Sequence, residues 1–282
     1  MINFLKYTKL YFALSAVVIA IGMFTLFSKG LNLSIDFTGG SMLEYSFEKD
    51  ITTDEIQKVF NDKSIEVSSI ATQGPKRVII RAEALSETQE VDVRTALSAK
   101  QLRFDSVGPV LGLETIRKTF YASVVAVFGI LLYISFTFRK LSYGVAAVTA
   151  LLRDLLVLFG VYAILARFGA EIDTLFITAV LTTMSFSVHD TIVMFDKIRE
   201  YKKTSGLGIE VLANKALTET IVRSVNNSLT IILMLVPLTL FGGDAVRFFA
   251  AALLIGTITG TYSSPCIATP LLVLLERRRN SR

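Results

Sequence analysis

Long apolar runs alternate with short charged clusters along this chain. Six runs approach the ~20 residues that an α-helix needs to cross the hydrocarbon of a bilayer. They fall at about 10–28, 119–138, 142–166, 172–196, 222–241 and 246–275. Residues 30–118, between the first two runs, follow a different pattern. There the alternation predicts strands over 35–47, 65–72, 76–82 and 102–107, with Gly39-Gly40 as a bulge or bend in the first. Thr52-x-x-Glu55 and Ser86-x-x-Gln89 are capping-box starts for two helices, one reaching Asn61 and the other ending near Lys100. Gln73-Gly74-Pro75 reads as the turn between the two middle strands. The order β-α-β-β-α-β is the split-βαβ, ferredoxin-like arrangement. It sets two helices on one sheet face and leaves the other face or an edge free for contact with another chain. The predicted fold class is a polytopic α-helical membrane protein, with six transmembrane helices and one small α+β ferredoxin-like domain between the first two. The expected organisation is 1–29 (N-terminus and first helix), 30–118 (α+β domain) and 119–282 (helices two to six, with a loop at about 197–221).

Charge placement adds a topology. Lys6 and Lys9 precede the first run, and Arg139 and Lys140 sit in the tight turn between the second and third. Lys197, Arg199, Lys202, Lys203 and Lys215 fill the fourth-to-fifth connection, and Arg277, Arg278 and Arg279 follow the last run. All lie on one side if both termini are cytoplasmic, as the positive-inside bias expects. Residues 30–118 are then extracytoplasmic. Gly206 and Gly208 split the charged connection into two short helical pieces, expected either along the membrane surface or as an ordinary solvated connector.

Composition fits this reading: 52% hydrophobic residues and a mean hydropathy of +0.57 exclude an ordinary soluble domain. The net charge of +5 reflects topology rather than a nucleic-acid partner. A single cysteine, Cys266, excludes an internal disulfide and reads as buried filler. The first run follows two lysines, as a signal peptide would. It is too long for a signal core, and Phe27-Ser28-Lys29 is no small-x-small cleavage site, so an uncleaved span is expected.

The strongest chemical signal lies in residues 182–200. An aspartate at hydrocarbon depth costs roughly 2.5–3.5 kcal/mol to insert, so Asp190 is expected to face a bundle interior or a watery cavity. Thr183, Ser187 and Asp190 fall at i, i+4 and i+7, on one helix face, which reads as polar lining. Asp190 lies about 9 Å from the cytoplasmic end of its run at 1.5 Å per residue. Arg223, at the start of the next run, approaches that depth from the opposite direction. An ion pair between them, or one with a shared water, is expected; an arginine that only snorkels to the headgroups is the alternative. Burial and a nearby cation act in opposite senses on a carboxyl, as a switchable proton site needs.

Arg153 and Asp154 sit side by side near the middle of the third run. Adjacent helix positions point about 100° apart, so each is expected to find a partner on another span. Asp154 is a second candidate on a proton path, and Arg153 a buried ionic tie. His189, the single histidine, is a secondary relay candidate. Gly256-x-x-x-Gly260 signals close helix packing, and Pro265 and Pro270 a bend. No metal-ligand spacing, phosphate loop, HExxH or GxSxG pattern occurs, so neither an enzyme nor a cofactor is expected.

Four segments carry a family resemblance. Asp36-Phe37-Thr38-Gly39-Gly40 follows the first run, and Val107-Gly108-Pro109 leads back toward the second. SVHDTIVMFDKIRE occupies 187–200, and GTYSS occupies 260–264 ahead of Pro270-Leu271. In order and spacing, over nearly the whole chain, they resemble the SecF family of bacterial protein-export membrane subunits, within the resistance–nodulation–division superfamily. The resemblance implies a multi-pass protein of the bacterial cytoplasmic (inner) membrane. It implies partnership with SecD beside the SecY-E-G channel, contact with an emerging unfolded polypeptide, and use of the proton-motive force in late export through movement of the outer domain. Asp190 and Arg223 match the family's fourth-span aspartate and fifth-span arginine, both implicated in proton transport. Asp154 matches the aspartate of a third-span His-Asp pair. Arg153 stands where that pair has histidine, and His189 where asparagine is common. The other half of a pseudo-symmetric twelve-span assembly is expected from SecD. A passive scaffold for SecD, or a small-molecule or lipid transporter of the superfamily, are the alternative roles.

Overall fold

The computed structural model describes residues 4–72 and 76–280, so the expected turn at Gln73-Gly74-Pro75 lies outside the described residues. Among them, six helical stretches are long and apolar enough to cross a membrane: Phe4–Ser28, Pro109–Phe138, Leu141–Phe168, Thr174–Thr204, Ile209–Phe241 and Val246–Arg278. The helices are α1 (Thr8–Lys29), α2 (Ile35–Thr38), α3 (Thr53–Asp62), α4 (Glu87–Ala96), α5 (Pro109–Phe138), α6 (Leu141–Leu165), α7 (Thr174–Thr204), α8 (Ile209–Phe241), α9 (Asp244–Ser263) and α10 (Thr269–Asn280). The strands are β1 (Gly40–Ser46), β2 (Val67–Thr72), β3 (Arg77–Ala82) and β4 (Lys100–Val107). Contacts divide the chain into a helical unit, residues 1–32 with 121–282, and a sheet unit, residues 33–120.

In the helical unit, small residues set how closely helices meet. A Cβ on Gly22 of α1 would stand 2.7 Å from the Cα of Gly160 in α6, so these backbones touch. Gly256 of α9 leaves no room for a Cβ against Thr183 of α7, and a Cβ on Gly260 would stand 3.2 Å from that of Ser187. The expected proline bend takes the form of a π-helical turn, Ser264–Ala268, between α9 and α10. Pro265 lies in its first turn and Pro270 near the start of α10, where a missing N–H costs least.

The connection after α7 departs from expectation. Its residues do not form two short pieces along a membrane surface. The charged end of α7 continues the span as far as Thr204, and α8 starts at Ile209, already continuous with the next span. Its first turns bury Leu212, Ala213, Ala216 and Leu217. That apolar face packs on protein, which removes the need for lipid.

The sheet unit has the strand order β2-β3-β1-β4, antiparallel throughout, with α3 and α4 as crossovers. This is the split-βαβ order. Alternate residues Leu43 and Tyr45 of β1 and Val78, Ile80 and Ala82 of β3 pack against Ile56 and Phe60 of α3 and Val93 of α4. Both capping boxes form: Thr52 Oγ1 accepts from Glu55 N and Ser86 Oγ from Gln89 N, and the Glu55 and Gln89 side chains accept in return from the backbone N–H of Thr52 and Ser86. The helix after Ser86 stops at Ala96, short of Lys100, which joins β4 instead. Residues 35–38 are also not strand. Ser34 caps a single helical turn, α2, which ends at Gly39. Gly39 and Gly40 then adopt φ of +72° and +108°, open to glycine at little cost. The bulge in β1 lies further on, between Glu44 and Tyr45 against β4.

One buried polar contact crosses this core. The Tyr45 hydroxyl donates to Glu90 Oε1 at 3.1 Å, and Arg94 stands 3.3 Å from the same oxygen. Burial, with the Glu90 carboxylate beside it, holds the Tyr45 hydroxyl above the ordinary phenol range. The folded group keeps its proton where the unfolded one ionises. This stabilising contribution is therefore full below about pH 10 and is lost as pH rises above it. Amide exchange at β1 across the alkaline range should show that loss, and Tyr45→Phe should flatten it. In the helical unit, Gly22→Ala should lower stability by about 1–3 kcal/mol through overpacking against Gly160. Gly129→Ala, which meets nothing within 4 Å, should be silent when both are compared by thermal unfolding in lipid nanodiscs.

Candidate functional site

The middle of α7 carries polar groups toward two different neighbours. Gly256 and Gly260 of α9 press against Thr183 and Ser187, which fixes the rotation of α7. The residues expected to share one polar face are thereby divided. Thr183 turns its hydroxyl to its own helix, donating to Ala179 O at 2.5 Å. Ser187 donates to Asp154 Oδ2 of α6 at 2.7 Å. Asp190 points instead to α8, where Ser224 Oγ donates to Asp190 Oδ2 at 2.5 Å.

The centre on the α6 side is closely packed. Arg153 Nη1 donates to Asp154 Oδ1 at 2.9 Å, and both side chains are at most one-tenth exposed. Arg153 Nε reaches Ser15 Oγ of α1 at 2.7 Å, and its Cζ lies 5.3 Å from the ring centre of Tyr262 in α9. Each has a partner on another span, as expected, Ser15 for Arg153 and Ser187 for Asp154, and the two also pair with each other. The long guanidinium folds back across the 100° between them while its Nε still reaches another helix. The void beside Asp154, Thr183 and Gly256 is about 10 Å³, at the limit for a single water. This centre joins α1, α6, α7 and α9.

On the α8 side there is open space. His189, Asp190, Thr220, Arg223, Ser224 and Asn227 line a cavity of about 170 Å³, together with Val193 and Met194. That is room for several waters, and the lining offers enough polar partners to hold them. Asp190 is partly buried, while His189 and Arg223 are exposed within this chain. Among the described residues no ion pair joins Asp190 and Arg223; both line the cavity. His189 lies beside the carboxylate on the same wall. The arrangement offers the carboxylate one hydroxyl donor and a polar cavity that an arginine also lines.

The remaining motif residues have structural surroundings. The backbone N–H of Asp36 donates to Ser34 Oγ at 3.2 Å at the start of α2. Gly39 and Gly40 form the turn into β1. The Gly108 carbonyl accepts from Leu111 N and Gly112 N, opening α5 at Pro109. Gly260 provides the close approach to Ser187.

One cluster was missed from sequence. Glu276 of α10, 1% exposed, takes Lys140 Nζ at 2.7 Å, Lys202 Nζ at 2.9 Å and Ser142 Oγ at 2.7 Å. It ties the turn after α5 to the ends of α7 and α10. Its only sequence signal was one acid between an apolar run and three arginines.

Comparison with known proteins accords with this geometry. The family model for the protein-export membrane protein SecD/SecF, C-terminal, matches residues 87–278, and the SecD/SecF GG motif matches residues 24–51. The chain is 38% identical to protein translocase subunit SecF of Thermobaculum terrenum, over 99% of this chain and 95% of that protein. It is 33% identical to protein translocase subunit SecF of Synechocystis, over 100% of this chain and 96% of that one. The crystal structure of SecDF, a translocon-associated membrane protein from Thermus thermophilus, superposes with a TM-score of 0.84 at 31% identity. That match covers 98% of this chain but 39% of the SecDF chain, so this chain spans well under half of the longer protein. On these matches the chain belongs to the SecD/SecF family of protein-export membrane proteins.

Proposed function

We propose that this chain is a non-enzymatic SecF-type subunit that uses the proton-motive force to assist polypeptide export, with SecD supplying the other half of the assembly. Asp190 takes up and releases the proton. Arg223 stabilises the carboxylate across the cavity, and Ser224 orients it. The observation that carries this reading is a partly buried carboxyl, held by one hydroxyl, sharing a water-sized cavity with an arginine. An intramembrane acid that faces a cavity is a functional group by default. A proton that crosses a 100 mV potential releases about 2.3 kcal/mol, enough to bias a conformational equilibrium by nearly two decades. Both termini are cytoplasmic and the sheet unit extracytoplasmic in this reading. Its free face or edge meets SecD, the SecY-E-G channel or the emerging polypeptide.

Asp154 takes a different part. Its bond to Arg153 in a closely packed site makes it a tie among helices that holds α7 while Asp190 titrates.

Proton-gradient-dependent export in vesicles containing the whole translocase tests these assignments. Asp190→Asn should reduce export to the level seen with an uncoupler while leaving thermal unfolding unchanged; full export would reject the proton role and leave a passive scaffold. Arg223→Lys should also lose gradient-dependent export, whereas a headgroup anchor would tolerate lysine. Asp154→Asn should instead lower stability by about 3–5 kcal/mol in thermal unfolding, because it leaves a buried arginine without its carboxylate.

A further inference from the structure

The cavity that Asp190 lines is bounded by two helices alone. His189, Asp190, Val193 and Met194 come from α7, and Thr220, Arg223, Ser224 and Asn227 from α8. Across about 170 Å³ of open space, side chains of α7 and α8 do not interlock, so packing there does not set how far apart the helices stand. The Ser224–Asp190 hydrogen bond nevertheless needs that distance to be right. A third helix, α9, supplies what the cavity lacks, through two hydroxyls of the GTYSS segment at 260–264.

Thr261 turns to α8. Its Oγ1 donates to Ser228 Oγ at 2.5 Å, sharing the proton with Thr257 O of its own helix at 2.7 Å. Ser228 Oγ in turn donates to Ser224 O at 2.9 Å, the carbonyl of the residue that holds Asp190. Ser264, at the start of the π-helical turn, goes to α7. Its Oγ lies 2.8 Å from Thr191 Oγ1, next in sequence to Asp190. Thr191 spends its own proton on Ser187 O at 3.0 Å, which makes Ser264 the donor. Residues three apart on a helix stand about 60° apart around its axis, so α9 offers one hydroxyl to each neighbour. Thr191, Ser224, Ser228 and Ser264 are all buried. A buried hydroxyl finds no water to replace a lost partner, so each pair fixes its helix closely.

We propose that Thr261 and Ser264 are positioning residues for Asp190: Thr261 holds α8 through Ser228, Ser264 holds α7 through Thr191, and together they keep Ser224 within hydrogen-bond distance of the carboxyl. Neither hydroxyl touches Asp190; both act through its neighbours. Their effect on export rests on the proton-driven reading, whereas the positioning itself stands on these hydroxyl contacts. Gly260, one residue before Thr261, allows the close approach to Ser187 that brings both hydroxyls within reach.

Infrared spectra of the full chain with SecD in nanodiscs, isotope-labelled at the aspartate carboxyls, test this apart from export. The Asp190 band is the one that Asp190→Asn removes, in either protonation state, and Ser224→Ala gives the shift that marks loss of its hydrogen bond. Thr261→Val, which keeps the shape and drops the hydroxyl, and Ser264→Ala should each shift the band as Ser224→Ala does. Thr261→Ser should restore the parent position. Thr239→Val, whose hydroxyl serves only Leu235 O of its own helix, should leave it there. Added to Ser224→Ala, neither Thr261→Val nor Ser264→Ala should shift the band further. A band left at the parent position in Thr261→Val or Ser264→Ala overturns the role of that residue, even if Asp190→Asn abolishes gradient-dependent export. So does a further shift on top of Ser224→Ala. The Ser224→Ala shift in both supports the positioning, even if Asp190→Asn exports normally and the proton reading fails. With that reading intact, Thr261→Val and Ser264→Ala should also lose gradient-dependent export in vesicles, and Thr261→Ser should regain it.

Discussion

The rotation of α7 about its own axis decides what every other polar group in the membrane can reach. Two glycines on α9 set that rotation, because Thr183 and Ser187 fit against them only one way round. With α7 so placed, Ser187 is delivered to Asp154 in a closely packed site and Asp190 to Ser224 beside a cavity. A side chain larger than hydrogen at Gly256 would push α9 away and release both. The GxxxG pattern thus sets the chemistry of a helix that it does not belong to.

The two centres show how burial sorts acids. Asp154 has both oxygens occupied, by a guanidinium and a hydroxyl, with space at the limit of one water. Asp190 has one printed hydroxyl partner and lines a cavity together with Arg223. The same residue type, on neighbouring helices, is closely packed in one place and borders open space in the other.

Local signals in the sequence translated well into structure. The capping boxes at Thr52 and Ser86 formed because they need only four residues and no tertiary help. The charged punctuation between apolar runs marked the spans for the same reason. Non-local facts were harder to read. Ile35, Phe37 and Thr38 have strand propensity, yet Ser34 at one end and a left-handed Gly39 at the other turn them into α2. Gly206 and Gly208 looked like a break in an amphipathic surface segment. They instead delimit a short linker between two helices that pack on each other. Asp190 and Arg223 stood out because charge is rare in apolar runs. Ser224, the group that Asp190 touches, did not, because a serine in a span usually bonds its own backbone. Gly22 and Gly160 carried no periodic signal at all; their contact depends on how α1 crosses α6.

The length of α8 has its own consequence. Its 33 residues extend about 50 Å, well beyond the ~30 Å of a hydrocarbon core. The excess is not slack. Lys197 and Tyr201 of α7 meet Glu219 of α8, and Arg277 of α10 meets Glu210. That end of the helices is therefore a braced stalk instead of a yielding loop.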